Sequence, residues 1–216
     1  MNILFLGDSI TDCDHCFSSD NLGHGYVKEI SKLYKSYLPE LPVHITNGGT
    51  DGFTFPRILQ KWKQTYTDQS WDIVCVLAGI NEAGYLMGLP ASEESSILSY
   101  IQRSSESFSE LLSSLILHKV KKIIILSPFL FEQPAYLISW IPVLQTIQNM
   151  IHEICQDFIK HHSSVLSVYS LQDYWNQLTF SISSEILSPD GIHLSDIGHQ
   201  KLGKYIFQLI SGTVLT

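Results

Sequence analysis

Short apolar runs rich in β-branched residues recur along the chain, and longer segments with helical periodicity separate them. The apolar runs have the lengths typical of buried strands, and they cover residues 3–6, 43–46, 73–78, 123–126 and 165–168. Apolar side chains that repeat every three or four positions predict helices over residues 26–37, 55–62, 97–115, 142–160 and 195–210. The pattern therefore predicts five strands that alternate with helices.

This alternation is typical of right-handed crossovers and a mainly parallel sheet covered by helices on both faces. We expect an α/β fold, a three-layer α/β/α sandwich of flavodoxin-like appearance with a mainly parallel five-stranded sheet. The 216 residues suit one unit of this kind, and the chain contains no internal repeat or linker. Residues 1–216 are therefore predicted to form a single domain.

Charge and composition narrow the range of partners. The chain has 21 acidic and 13 basic residues, a formal net charge of -8, and a field of this sign disfavours nucleic acid. No stretch approaches the roughly 20 apolar residues of a membrane span, and the first residues lack a signal-peptide pattern, so a cytoplasmic protein is expected. The scattered cysteines suit reduced thiols. Cys13-x-x-Cys16 is expected to supply two loop thiols, because a zinc site would need a second pair.

Polar clusters follow the first three predicted strands. They are Gly-Asp-Ser at residues 7–9, Asn-Gly-Gly-Thr-Asp-Gly at 47–52 and Gly-Ile-Asn-Glu at 79–82. Functional groups of open α/β sheets gather outside the carboxyl ends of the strands, so one edge of the sheet is expected to collect all three clusters.

A fourth polar segment lies near the C-terminus, where Asp190 and His193 are three residues apart in a predicted turn before the last helix. A serine hydroxyl becomes a nucleophile when an imidazole takes its proton and a third group orients the imidazole. Gly191 permits the tight bend that this arrangement requires. His193 and Asp190 are therefore candidates for the base and the orienting acid of a catalytic serine elsewhere in the chain, although each alone is equally compatible with a helix cap or a turn.

The segments at residues 7–10, Gly-Asp-Ser-Ile, and 190–193, Asp-Gly-Ile-His, resemble the opening and closing blocks of the GDSL (SGNH) hydrolases. The resemblance implies the SGNH hydrolase fold. It also implies that Ser9 is the nucleophile, that His193 is the general base and later the general acid, and that Asp190 orients the imidazole.

The middle blocks of the family fall on the other two polar clusters. The resemblance implies an oxyanion hole made by the backbone N–H groups of Ser9 and Gly52 and by the side-chain amide of Asn81. Gly49 is the alternative glycine donor if the loop is shifted. Glu82 stands where the family commonly has Asp, so the hydrogen bonds that brace this loop are expected to differ. Asp8 is expected to brace the nucleophile loop by accepting backbone N–H groups.

The activity that the resemblance implies is hydrolysis of a small-molecule carboxylic ester, acyl or acetyl, through an acyl-enzyme and without a cofactor. No metal is expected, because the polar loop with Asp12, Asp14, His15 and Asp20 follows no recognised ligand spacing. An acyltransferase or thioesterase would use the same triad, and a non-catalytic protein that binds a small ligand is the alternative outside enzymes. The pattern specifies neither the natural ester nor the oligomeric state.

Four aromatic side chains beyond strands three and four are candidates for substrate binding. Tyr85, Phe129, Phe131 and Tyr136 are predicted to form an apolar wall near Ser9. The alternative is that they pack into the core or against a second copy of the chain.

Overall fold

The computed structural model describes residues 1–90 and 92–214, and one parallel sheet runs through its centre. Its strands are β1 (Asn2–Gly7), β2 (His44–Gly49), β3 (Ile73–Leu77), β4 (Lys122–Leu126) and β5 (Leu166–Tyr169). They lie in the order β2-β1-β3-β4-β5, and every pairing is parallel. The predicted five-stranded parallel sheet is confirmed. The single-domain prediction also spans residues 91, 215 and 216, which lie outside the described residues.

Helices cover both faces of the sheet. They are α1 (Ser9–Asp12), α2 (Tyr26–Tyr37), α3 (Phe55–Lys61), α4 (Ile80–Met87), α5 (Glu94–Leu117), α6 (Ile141–His162), α7 (Leu171–Leu178), α8 (Ser184–Leu187) and α9 (Asp196–Ser211). Helix α2 packs against α9 on one side, and α3, α5 and α6 pack in succession on the other. This arrangement is the predicted three-layer sandwich.

The central strands β3 and β4 are almost entirely apolar because helices bury both of their faces. All five residues of β3 are buried, as are the last four of β4. On α5, Tyr100, Phe108 and Leu111 face the core, while serines occupy much of the opposite side. Within the described residues, no helix has both the length and the apolar character needed to cross a membrane.

The observed elements differ from the predicted ones mainly next to the polar clusters. Strand β2 continues to Gly49, because residues 47–49 pair with residues 5–7 of β1. The segment after β3 is helix α4 instead of a loop, and α1, α7 and α8 were not predicted. These four helices are only four to eight residues long, and their few turns showed no helical period in the sequence, unlike the seven-residue helix α3, which was predicted.

Helix α1 lies directly against the carboxyl ends of β1 and β2. A Cβ atom added to Gly49 would overlap the backbone nitrogen of Asp12, and one added to Gly7 would overlap the side chain of Thr11. The two glycines therefore allow the helix that begins at Ser9 to approach the sheet closely.

We expect Gly49→Ala to reduce the free energy of unfolding by about 1–3 kcal/mol, because the added methyl group forces α1 away from β2. Gly88→Ala is the matched control, since its Cβ would meet its nearest neighbour at 3.4 Å and its φ of -79° suits any residue. Urea unfolding of both variants measures the difference. A Gly49→Ala protein as stable as the control would contradict the close approach.

Candidate active site

The three predicted triad residues lie together at the carboxyl edge of the sheet. Ser9 is the first residue of α1, directly beyond β1, and its Oγ lies 2.9 Å from Nε2 of His193. The other ring nitrogen of His193, Nδ1, lies 2.7 Å from Oδ2 of Asp190. The side chains of His193 and Asp190 are 53% and 48% exposed, so solvent reaches this group of residues.

The turn that carries Asp190 and His193 is closed by its own side chains. Oδ1 of Asp190 accepts the backbone N–H groups of Ile192 at 2.9 Å and His193 at 2.7 Å. Ser188 Oγ accepts the N–H of Gly191 at 2.8 Å and donates to the carbonyl of His193 at 2.6 Å. Gly191 has a φ of +84°, in the left-handed region that favours glycine. This network fixes the imidazole relative to the carboxylate.

Hydrogen bonding keeps Asp190 ionised. Partial burial alone would raise its pKa, but hydrogen bonds from the His193 ring and from the N–H groups of Ile192 and His193 outweigh burial and hold the pKa below its usual range. With the carboxylate facing Nδ1, the neutral imidazole carries its proton on Nδ1 and presents Nε2 as an acceptor to the Ser9 hydroxyl. The geometry is therefore that of a hydroxyl with a general base oriented by an anion.

The candidate oxyanion donors are arranged along the same edge. Gly52 has a φ of +68° with open space on its Cα, and its N–H donates to no acceptor in the described part of the chain. The Asn81 amide donates one N–H to the carbonyl of Phe53 at 3.0 Å, which places Asn81 beside the Gly52 turn. Gly49 instead lies within β2, and its N–H donates to Asn47 Oδ1 at 2.9 Å. The backbone N–H of this alternative glycine is therefore already used in a hydrogen bond.

Two buried carboxyl groups flank these donors. Oδ1 of Asp8 accepts the N–H of Ile10 at 3.0 Å and caps α1, as the sequence predicted. Oε1 of Glu82 accepts the N–H of Phe55 at 2.6 Å, at the first turn of α3, and so braces the segment that follows Gly52. Burial raises the pKa of each carboxyl group to about 7, although these hydrogen bonds by themselves lower it.

Two further side chains that hold this edge were not identified from the sequence. Asn47 Nδ2 lies 2.8 Å from the carbonyl of Thr11 and 2.9 Å from that of Leu22, so it ties β2 to α1. Lys61 Nζ donates to the carbonyl of Gly49 at 3.1 Å and to Thr50 Oγ1 at 2.6 Å. The only signal for Asn47 is a polar residue at the end of an apolar strand.

The predicted aromatic wall is only partly at the surface. Phe129 is fully buried and Phe131 nearly so, and their rings lie 5.3 and 5.4 Å from that of Trp175. The structure corrects the prediction for these two residues, which belong to the core because apolar neighbours enclose them. The backbone N–H of Phe131 donates to the carbonyl of Gly191 at 2.8 Å, so this segment supports the triad turn. Tyr85 and Tyr136 are 51% and 62% exposed.

The polar loop after α1 is organised by a carboxylate. Asp12 Oδ1 pairs with Nδ1 of His15, and Asp12 Oδ2 accepts the N–H of Asp51 at 3.3 Å. Cys13 and Cys16 are both free thiols. Among residues 1–90 and 92–214, no group of three or more His, Cys, Asp or Glu side chains is placed to hold a metal ion.

A family model described as GDSL-like lipase/acylhydrolase matches residues 3–206. The chain belongs to this family. The predicted resemblance is confirmed, and the enzyme is a carboxyl-ester hydrolase that acts on a small-molecule ester.

Relatives of known structure or function are similar to the chain over almost its whole length. An acetylxylan esterase of Geobacillus stearothermophilus is 29% identical over 210 residues, which cover 94% of this chain and 90% of the relative. A solved structure of a catalytic mutant of Axe2, an acetylxylan esterase of that organism, superposes with a TM-score of 0.80 at 25% identity and covers 99% and 94% of the two chains. The α/β hydrolase LAE5, from the metagenome of Lake Arreo, Spain, gives a TM-score of 0.79 at 19% identity over 100% and 96% of the chains and shows the same fold.

We expect Glu82→Gln to flatten the dependence of stability on pH. Burial raises the pKa of Glu82 from 4.5 to about 7, so between these values the folded protein binds a proton that the unfolded chain has lost. The contribution of this group to the free energy of unfolding therefore falls by up to about 3 kcal/mol as the pH rises from about 4.5 to about 7. Above that pH it levels off. Glutamine keeps an oxygen for the Phe55 N–H but has no proton to lose.

Urea unfolding at pH values from about 4.5 to 8 tests this expectation. Glu110→Gln is the control, because Glu110 is exposed on α5 and forms only a surface ion pair with Lys63. The control should keep the pH dependence of the wild type. Equal slopes for the wild type and Glu82→Gln would contradict the raised pKa.

Proposed function

We propose that Ser9, His193 and Asp190 are the catalytic triad of this esterase and that hydrolysis passes through an acyl-enzyme. The observation that carries the proposal is the continuous set of contacts from Ser9 Oγ through the two ring nitrogens of His193 to the Asp190 carboxylate. In support, a solved structure of Axe2 with a serine replaced by alanine, and one with an aspartate replaced, are both named as catalytic mutants.

The two half-reactions follow from this geometry. Ser9 Oγ attacks the carbonyl carbon of the ester while its proton passes to Nε2 of His193, and the imidazolium that forms is stabilised by Asp190. The C–O bond of the tetrahedral intermediate then breaks, and the alcohol leaves with the proton from Nε2. Water attacks the acyl carbon while Nε2 of His193 takes one of its protons. The bond between Ser9 Oγ and the acyl carbon then breaks, the proton returns from Nε2 to Oγ, and the carboxylic acid leaves.

The negative oxygen of each tetrahedral intermediate would be bound by the N–H groups of Ser9 and Gly52 and by the Asn81 amide. The N–H of Ser9 lies in the first turn of α1, where helix N–H groups have no partner within the helix. The unused N–H of Gly52 and the contact of Asn81 with the neighbouring Phe53 support the assignment of the other two. Loss of one such donor typically costs about 10²–10³ in rate.

We further propose an acetylated carbohydrate as the substrate. The curated relative is named an acetylxylan esterase. On α4, Tyr85 lies one helical turn beyond Asn81 and therefore on the same face. The Tyr85 ring stacks on Tyr100 at 4.2 Å and an interplanar angle of 22°, and half of its surface is exposed. A flat aromatic ring held in this way suits stacking against a sugar. Tyr136 is the second exposed aromatic candidate for substrate binding.

Solvent access favours hydrolysis over the alternative acyltransferase activity. Because the side chains of His193 and Asp190 are about half exposed, water reaches the position from which it would attack the acyl-enzyme. An acyltransferase must instead keep water away from this intermediate.

We also propose that residues 1–216 act as one domain in the cytoplasm. One sheet organises the described residues. All four cysteines are free thiols, which suits a reducing compartment.

The nucleophile is tested with p-nitrophenyl esters from acetate to octanoate. Ser9→Ala should lose at least about a thousandfold in kcat because no other hydroxyl replaces Oγ. Ser113→Ala, at an exposed position on α5, is the control and should retain full activity. Circular dichroism checks that both variants are folded. A folded Ser9→Ala protein with wild-type activity would rule out Ser9 as the nucleophile.

The substrate class is tested by comparing an acetylated xylo-oligosaccharide with p-nitrophenyl acetate. Tyr85→Ala should lower kcat/KM for the sugar ester by about tenfold, equivalent to 1.4 kcal/mol, and leave the small ester within about twofold. Tyr85→Phe keeps the ring and should behave as the wild type. Equal losses on both esters would argue against sugar stacking, because they would indicate a general change at the site.

A further inference from the structure

The C-terminal end of α1 is held by a cysteine that the proposed mechanism does not use. Cys13 follows the last residue of this four-residue helix and has a φ of +40°. Its Sγ lies 3.4 Å from the carbonyl of Ile10 and 3.7 Å from that of Ser9. On its other side, the same sulfur lies 3.2 Å from Nε2 of His199. The thiol therefore connects the helix that begins with the proposed nucleophile to a histidine that is distant in sequence.

His199 lies on α9, the helix that directly follows the turn carrying His193, and it is 7% exposed. Its Nδ1 accepts the backbone N–H of Tyr26 at 3.2 Å, at the first residue of α2. Since Nδ1 is an acceptor, the neutral imidazole carries its proton on Nε2 and donates it to the sulfur of Cys13. The S–H group is then free to donate to the carbonyl of Ile10.

Burial keeps both groups uncharged, so this pattern of donors persists at neutral pH. Burial lowers the pKa of His199 to about 4 and raises the pKa of the Cys13 thiol to about 12. Cys13 is therefore a hydrogen-bonding thiol and has no thiolate character with which to act as a nucleophile.

Close packing limits the movement of this pair. A Cβ atom on Gly25 would overlap the sulfur of Cys13 and would lie 3.0 Å from Cε1 of His199. The hydroxyl of Tyr26 is also within 2.9 Å of Thr11 Oγ1 on α1. Helices α1, α2 and α9 thus meet at a point that close packing and hydrogen bonds both constrain.

We propose that Cys13 and His199 are positioning residues, which hold α1, and with it Ser9, at a fixed distance from the segment that carries His193. The proposal rests on the proposed role of Ser9. A four-residue helix has no stability of its own, so its position depends on tertiary contacts. A displacement of about 1 Å between a nucleophile and its base can cost about a hundredfold in rate.

Kinetics of Cys13→Ala, Cys13→Ser and Cys155→Ala test the proposal. Cys13→Ala should lower kcat by about tenfold or more at an unchanged KM, because the thiol orients α1 and touches no substrate. Serine both accepts and donates a hydrogen bond, so Cys13→Ser should recover to within about threefold of the wild type. Cys155 is a buried free thiol on α6 and is the matched control, with no expected change in kcat. A wild-type kcat for Cys13→Ala, or an equal loss in Cys155→Ala, would overturn the proposal.

Hydrogen exchange gives a readout that needs no ester hydrolysis. The N–H groups of Thr11 and Asp12 donate to the carbonyl of Asp8, at 3.1 and 2.9 Å, and that of Cys13 donates to the carbonyl of Ser9 at 3.1 Å. Exchange of the peptide covering residues 9–13 should be faster in Cys13→Ala and in His199→Ala than in the wild type or Cys155→Ala. Unchanged exchange would refute the positioning role even if activity is lost. Faster exchange together with a fully active Ser9→Ala would refute the proposed nucleophile and leave the contact standing.

Discussion

The close contact between α1 and the ends of β1 and β2 is the constraint on which the site depends. Gly7 and Gly49 leave no room for a side chain at this contact, and the amide of Asn47 reaches carbonyl groups of the same helix. A single helical turn does not form on its own, so these contacts determine its orientation. Because Ser9 is its first residue, the position of the hydroxyl follows from the packing of the sheet edge.

The buried carboxyl groups of Asp8 and Glu82 extend this constraint to the neighbouring donors. Each uses one oxygen to hold a backbone N–H, at the start of α1 and α3 respectively. Among the described residues, the second oxygen of each has no hydrogen-bond partner. A buried carboxylate without full hydrogen bonding is unstable, so both groups retain a proton to higher pH than an exposed acid. Burial of these two carboxyl groups lowers the stability of the protein, and the protein tolerates this loss beside the segments that carry Ser9, Gly52 and Asn81.

Much of the fold could be predicted because its signals are local in the sequence. Each strand of the buried sheet is a continuous apolar run, and the long helices α2, α5, α6 and α9 show a clear period. The triad candidates could be identified because their types and spacing match a family. Helices α1, α4, α7 and α8, the burial of Phe129 and the role of Asn47 could not be predicted, since they depend on neighbours in space. The hydrogen bond from Asn47 to Thr11 joins residues 36 positions apart.

Asp8 and Asp190 are identical side chains near the same serine, but their environments give them different charge states. Asp190 is about half exposed and accepts three hydrogen bonds, which keep it charged opposite the imidazole. Asp8 precedes the nucleophile but is 1% exposed, and it accepts one hydrogen bond from a backbone N–H. A fixed negative charge beside Ser9 would oppose the oxyanion that forms during attack on the ester. Burial of Asp8 reduces that charge at neutral pH, whereas the hydrogen bonds to Asp190 preserve the charge that stabilises the protonated form of His193.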